Sequence, residues 1–141
     1  MRYAYPYEIR PEPEGGVFIS FPDLPEALTG AKTDANVPRM ARDALVAALS
    51  FYVDGGRPLP ASSPGQPMAT VPVLVALKLA LHEAMLAQGV SNVDLAKRAG
   101  ADEKSVRRMR DLFHATKVDS LETALQLLGR RAEVSVLEDA P

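Results

Sequence analysis

Apolar residues recur along this chain with two different periods, and the change of period divides it. Residues 3–10 alternate aromatic and other side chains, and residues 17–21 (VFISF) alternate again after Gly15-Gly16. Alternation puts successive side chains on opposite faces of a strand, and a glycine pair between two such runs predicts a hairpin. Pro22, Asp23, Leu24 and Pro25 then open a loop, with a short strand expected over residues 27–32. Beyond that the spacing lengthens. Val37, Met40, Ala41, Ala44, Leu45, Ala48 and Tyr52 fall on one face of a helix capped by Thr33 or Asp34, with Pro38 in its tolerant first turn and Gly55-Gly56 at its end.

Residues 57–67 are rich in proline, serine and small residues, which predicts an extended connection across the surface. Residues 68–75 suit either a strand closing the sheet or a run into the next helix. Leu77, Leu81, Ala84 and Met85 mark a helix over residues 77–88 that stops at Gly89. Leu121, Ala124, Leu125 and Leu128 mark a last one, capped by Asp119 or Ser120 and closed by Gly129. The alternation over residues 133–136 predicts a short terminal strand. Every proline except Pro141 lies at or before Pro72, so strands and loops belong to the first half and helices to the second. The expected class is α+β: an antiparallel sheet with one helix over residues 1–75, and an all-α unit over residues 76–141.

Residues 91–112 carry the most specific pattern. Ser91 with Asp94 three positions later is a capping box, Leu95, Ala96 and Ala99 form an apolar face, and Gly100 permits a tight turn. Asp102 caps a second short helix that buries Val106 and Met109. Two helices so joined form a helix-turn-helix, in which the start of the second helix meets base edges and the first crosses the backbone. Glu103, Lys104 and Arg107 are then base-edge candidates, and Asn92 faces a phosphate with Arg108 at its flank. Ser105 and Arg110 complete the set of DNA-facing candidates. A run of cations is ordinarily a solvated helix face; the spacing and the caps favour a nucleic-acid reader.

Composition narrows the field. With 141 residues and 47% hydrophobic content the chain forms one ordinary domain or two small ones, not a large two-domain enzyme. The net charge of −2 leaves nucleic-acid binding to a local patch. The absence of cysteine removes disulfides, thiolate catalysis and cysteine zinc sites. No signal segment or bilayer-length apolar run is evident, so a cytoplasmic protein without membrane attachment is expected. Glu8, Asp23 and Asp43 are the carboxylate candidates for a magnesium-dependent nuclease, and nothing in their spacing brings them together. His82 and His114 stand apart from each other and are expected at the surface or at helix ends. Neither an enzyme nor a metal or cofactor site is expected.

The hairpin with its Gly-Gly turn, the stretch FPDLPEALTGAKT, the amphipathic helix, the proline-rich exit and the helix-turn-helix together resemble the HicB family of type II antitoxins over nearly the whole chain. Glu26 stands where that family commonly has glycine. The resemblance implies a partial ribonuclease-H-like N-terminal domain (βββαβ) without nuclease activity, and a lambda-repressor-like C-terminal domain. It also implies two roles: neutralising a HicA-like toxin that cuts messenger RNA, and repressing the protein's own operon. A toxin that grips RNA has a cationic face, and Glu12, Glu14, Asp23 and Glu26 of the acidic N-terminal half are the candidates to meet it. Two-fold operators imply a homodimer or higher even oligomer. The alternative is a one-component regulator whose N-terminal domain senses a ligand.

Overall fold

The first expected strand divides at Tyr7. The computed structural model describes residues 3–139, and in it β1 (Ala4–Pro6) and β2 (Glu8–Pro11) go to different partners. β1 pairs antiparallel with β5 (Met68–Thr70), Ala4 opposite Thr70; β2 pairs with β3 (Val17–Phe21), Ile9 opposite Ile19. Between them the Tyr7 amide donates to the Pro67 carbonyl at 3.0 Å, so the backbone stays satisfied as it changes partner. At the hairpin, Gly16 has φ +78° and lies so close to β4 (Leu24–Ala31) that a Cβ would come within 2.7 Å of the Ala31 carbonyl oxygen. Only glycine meets both conditions.

β4 starts earlier than expected. The turn is confined to Pro22 and Asp23, and Leu24 is already in the strand and fully buried. Pro25 is tolerated because β4 is an edge of the β2-β3-β4 sheet, where a missing amide breaks no ladder. Ile19, Phe21, Leu24 and Ala27 face α1 (Val37–Asp54), which returns Val37, Ala41, Leu45, Ala48, Leu49 and Val53 to the same core. A 3-10 turn, Asp34–Asn36, precedes α1, and neither Thr33 nor Asp34 caps it by a side chain. The segment 57–67 is extended, but it is anchored: Tyr5 Oη donates to the Pro60 carbonyl at 2.7 Å, and Ser63 binds Asp23 through both its amide and its hydroxyl.

Both readings of residues 68–75 are partly realised. β5 ends at Thr70 and α2 (Val73–Gln88) begins four residues before the expected Leu77, directly after an extended Pro72. α2 is apolar nearly all round, as befits a helix buried against two cores, with Val73 and its last turn left exposed. Val75 and Leu79 belong to the N-terminal core; Leu77, Leu81, Ala84 and Met85 belong to a second core with Leu95, Val106, Met109, Leu121 and Leu125. Leu112, from the far half, also reaches into the first core. The boundary expected between residues 75 and 76 falls inside this helix.

α3 (Asn92–Ala99), α4 (Glu103–Arg110) and α5 (Val118–Leu127) close the second core. Lys117, not Asp119 or Ser120, is the residue before α5, and it makes no side-chain cap. The terminal strand does not form: residues 130–139 have no regular structure, and Val134 and Val136 are exposed with no strand beside them to complete a ladder. Alternation without a partner edge stabilises nothing. Among the described residues no single helix is long and apolar enough to cross a membrane.

Candidate functional site

The α3–α4 unit is built from the caps the sequence contains. Ser91 Oγ accepts from the Asp94 amide at 3.1 Å while the Asp94 carboxylate accepts from the Ser91 amide at 3.2 Å. The Ser91 amide, and after it the Ser91 hydroxyl, hold the Asp94 carboxyl below its usual range. Gly100 takes the left-handed conformation at φ +62°, and Asp102 accepts from the Ser105 amide at 2.7 Å to start α4. Val106 and Met109 are buried, so the phase of α4 is as expected.

That phase sends Lys104, Arg107 and Arg108 into solvent, with Glu103 and Ser105 half-buried at their base. Arg107 Nη2 meets Glu103 Oε1 at 2.6 Å across one helical turn, an exposed pair that contributes little stability but holds the guanidinium along the helix. Lys97 and Arg98, in the last turn of α3, are exposed as well. Arg110 is different. It is half-buried, its Nη1 donates to Asn92 Oδ1 at 2.8 Å, and its Nη2 donates to His82 Nδ1 at 2.9 Å. Asn92 and Arg110 therefore engage each other, 18 residues apart, beneath the exposed cations.

His82 overturns the expectation of a surface histidine. It is fully buried on α2, its Nε2 lies 2.7 Å from the Arg57 carbonyl, and its Nδ1 faces the guanidinium. Arginine has no acceptor, so Nδ1 carries no proton and Nε2–H donates to Arg57. Burial and the nearby Arg110 pull its pKa down, against the Arg57 hydrogen bond and Glu83. The signal was hidden because a polar residue in an amphipathic helix is expected on its open side, whereas here Glu83 takes that place and His82 turns inward. His114 is exposed, as expected.

Lys78, one turn before His82, is a second polar residue buried in α2. Its side chain is fully buried, and the three N–H groups of Nζ are shared among the carbonyls of Arg108, Asp111 and His114 and Thr116 Oγ1, at 2.6 to 3.0 Å. A helix ends with unsatisfied carbonyls, and a cation there also meets the negative end of its dipole. Lys78 thus closes α4 from below. Burial lowers its pKa, partly opposed by Asp111.

The four acids of the N-terminal half separate into two pairs. Glu12 and Glu14 border the β2–β3 turn, near the Val17–Ala31 end of the sheet. Asp23 and Glu26 lie at the Phe21–Leu24 end, the length of β3 away. Asp23 is occupied by Ser63. Glu26 accepts from Tyr52 Oη at 2.8 Å, and its own backbone amide followed by Tyr52 keeps its carboxyl low; Arg57 stacks 4.3 Å above the Tyr52 ring. Glu12 and Glu14 are exposed, with no side-chain hydrogen bond among the described residues. Glu8 and Asp43 lie exposed on β2 and α1, apart from Asp23, and among the described residues no three metal-binding side chains converge.

A family model described as a HicB-like antitoxin of bacterial toxin-antitoxin systems matches residues 4–80. The chain belongs to the HicB family. Antitoxin HicB 1 of Photorhabdus laumondii is 38% identical over 133 residues, covering 94% of this chain and 86% of that protein. Antitoxin HicB of Escherichia coli K12 is 38% identical over 129 residues, 89% of this chain and 94% of its own. Antitoxin HicB of Pseudomonas fluorescens is 36% identical over 138 residues, covering 95% and 94%. The family match ends within α2, but these HicB relatives align on through α3 and α4.

Proposed function

We propose that this chain neutralises a HicA-like, messenger-RNA-cleaving toxin through its N-terminal half and represses its own operon through α3 and α4, without catalysis of its own. The observation that carries the first role is membership of a family of toxin-antitoxin antitoxins. Glu12 and Glu14, free at the hairpin, are favoured over the internally engaged Asp23 and Glu26 as contacts for a cationic toxin surface. The second role is supported by two capped helices across a left-handed glycine with Lys104, Arg107 and Arg108 exposed on the second. A homodimer or higher even oligomer would present two such units to a two-fold operator in the cytoplasm.

The experiment is expression of the small reading frame beside this gene with and without the antitoxin, following growth and messenger-RNA integrity. Arrest with RNA cleavage, both relieved by co-expression, is the expected result. Toxicity that this chain does not relieve would overturn the proposed pairing. Operator binding is tested separately, by fluorescence anisotropy of the full chain on duplexes from the region upstream of its own operon.

A further inference from the structure

Among the cations assigned to the DNA face, Arg110 alone has both ends of its guanidinium committed inside the protein. Nη1 holds Asn92 Oδ1 and Nη2 holds His82 Nδ1, while Nε is buried without a hydrogen-bond partner among the described residues. Each Nη group thus directs a donor at a protein acceptor, and Nε is shut away from solvent, so the fork is turned into the protein. Its effect on Asn92 is specific. Because a guanidinium only donates, Asn92 must present its carbonyl oxygen inward, and its Nδ2 group, with two donors, then points away from Arg110 at the start of α3.

The chain of contacts continues past Arg110. His82, held by the Arg57 carbonyl on its other nitrogen, fixes the second arm of the fork, so the guanidinium cannot turn without breaking a buried hydrogen bond. Asp54 and Glu83 are the carboxylates that bear on this network, and neither forms an ion pair with Arg110. A half-buried cation thus sits behind Asn92 without a carboxylate partner among the described residues.

We propose that Arg110 is a positioning residue rather than a DNA contact: anchored by His82, it orients Asn92 so that the Asn92 amide donates to a phosphate of the DNA backbone. The role rests on the DNA-binding reading above. It distinguishes Arg110 from Arg107 by a property other than affinity. A cation that neutralises a phosphate releases a counterion and contributes to the slope of log K against log salt, whereas a neutral amide does not.

The test uses full-length protein, duplex DNA from the upstream region of its own operon, and anisotropy at several salt concentrations, with wild type, Asn92→Ala, Arg110→Met, the double variant and Arg107→Ala. Asn92→Ala and Arg110→Met are each expected to weaken binding roughly three- to tenfold, the equivalent of one hydrogen bond. The double variant should be no weaker than the weaker single. The salt slope should stay at the wild-type value in Arg110→Met and fall by about one in Arg107→Ala. A slope loss of about one in Arg110→Met, additive losses in the double variant, or wild-type binding by Asn92→Ala would overturn the positioning role while leaving DNA binding standing. Failure of the wild-type protein to bind the duplexes would overturn the DNA reading and this role with it. If Arg110→Met melts below the assay temperature, Arg110→Gln takes its place, and Asn92→Ala still decides whether the amide touches DNA.

Discussion

The Lys78 ammonium lies 3.0 Å from the carbonyl oxygen of Arg108, joining a fully buried residue of α2 to the solvent-facing helix α4. With its three further acceptors it satisfies the end of α4 and the turn behind it. Lys78→Met keeps the packing volume and removes the shared donor, leaving the carbonyls of Arg108, Asp111 and His114 with the amides of Asp111, His114 and Thr116, and Thr116 Oγ1 with His114 Nδ1. The expected cost is about 1 to 3 kcal/mol of unfolding free energy, read by urea denaturation of the full chain. A change within experimental error would show that the backbone amides alone satisfy this turn.

His82 predicts a pH dependence with a definite sign. Its pKa in the folded chain is lowered from an unfolded value near 6.5. The unfolded chain therefore binds the proton more readily, and stability from this group is complete above about pH 6.5 and is lost as pH falls towards the folded pKa. The thermal midpoint of the wild type should fall between pH 7.5 and 5 by more than that of His82→Gln, which cannot titrate. Equal falls would assign the effect to other groups.

Met109 tests the phase of α4. It is buried in the second core with Val106 and Leu121, so Met109→Asp places a carboxylate there without a partner. Loss of about 3 kcal/mol or more is expected, with collapse of α3 to α5 by circular dichroism.

Lys104 and Arg107 project from the opposite side. Lys104→Ala or Arg107→Ala should weaken operator binding by about 1 to 3 kcal/mol if either reaches base edges, with toxin binding and melting temperature unchanged. Wild-type affinity in both variants would remove this face from the DNA interface.

The acids divide by the same logic. Glu12→Lys with Glu14→Lys should weaken capture of a cationic toxin in pull-down and leave the fold intact. Asp23→Ala should instead release Ser63, and the segment 57–67 should become more susceptible to limited proteolysis. Toxin binding unchanged in the Glu12/Glu14 variant would exclude the hairpin from the interface.

Much of this was legible from local chemistry. Ser91 with Asp94, Gly100 and Asp102 are signals that act within four residues, and each sits in the structure where its spacing places it. The faces Leu77-Leu81-Met85 and Leu121-Leu125 likewise follow from helical geometry alone. What escaped is non-local. Lys78 meets Arg108 across 30 residues, and His82 meets Arg57 and Arg110 across 25 and 28. A polar residue within an apolar helix does not announce which distant carbonyl or guanidinium will receive it. The division at Tyr7 is of the same kind, since only the position of residues 67–70 decides where the first strand changes partner. The terminal alternation misled for the converse reason: its pattern is local, but a ladder needs a neighbour.

α2 also limits how such a protein can be rearranged. Because Val75 and Leu79 complete one core while Leu77 and Leu81 complete the other, and Leu112 crosses back into the first, neither half is a detachable cassette. A graft that exchanged only residues 76–141 for a different reading head would strip Leu79 and Leu112 from the N-terminal core and leave apolar surface in water. An exchange that preserves folding has to carry the shared helix, with its matching partners on both sides, as a single inherited unit.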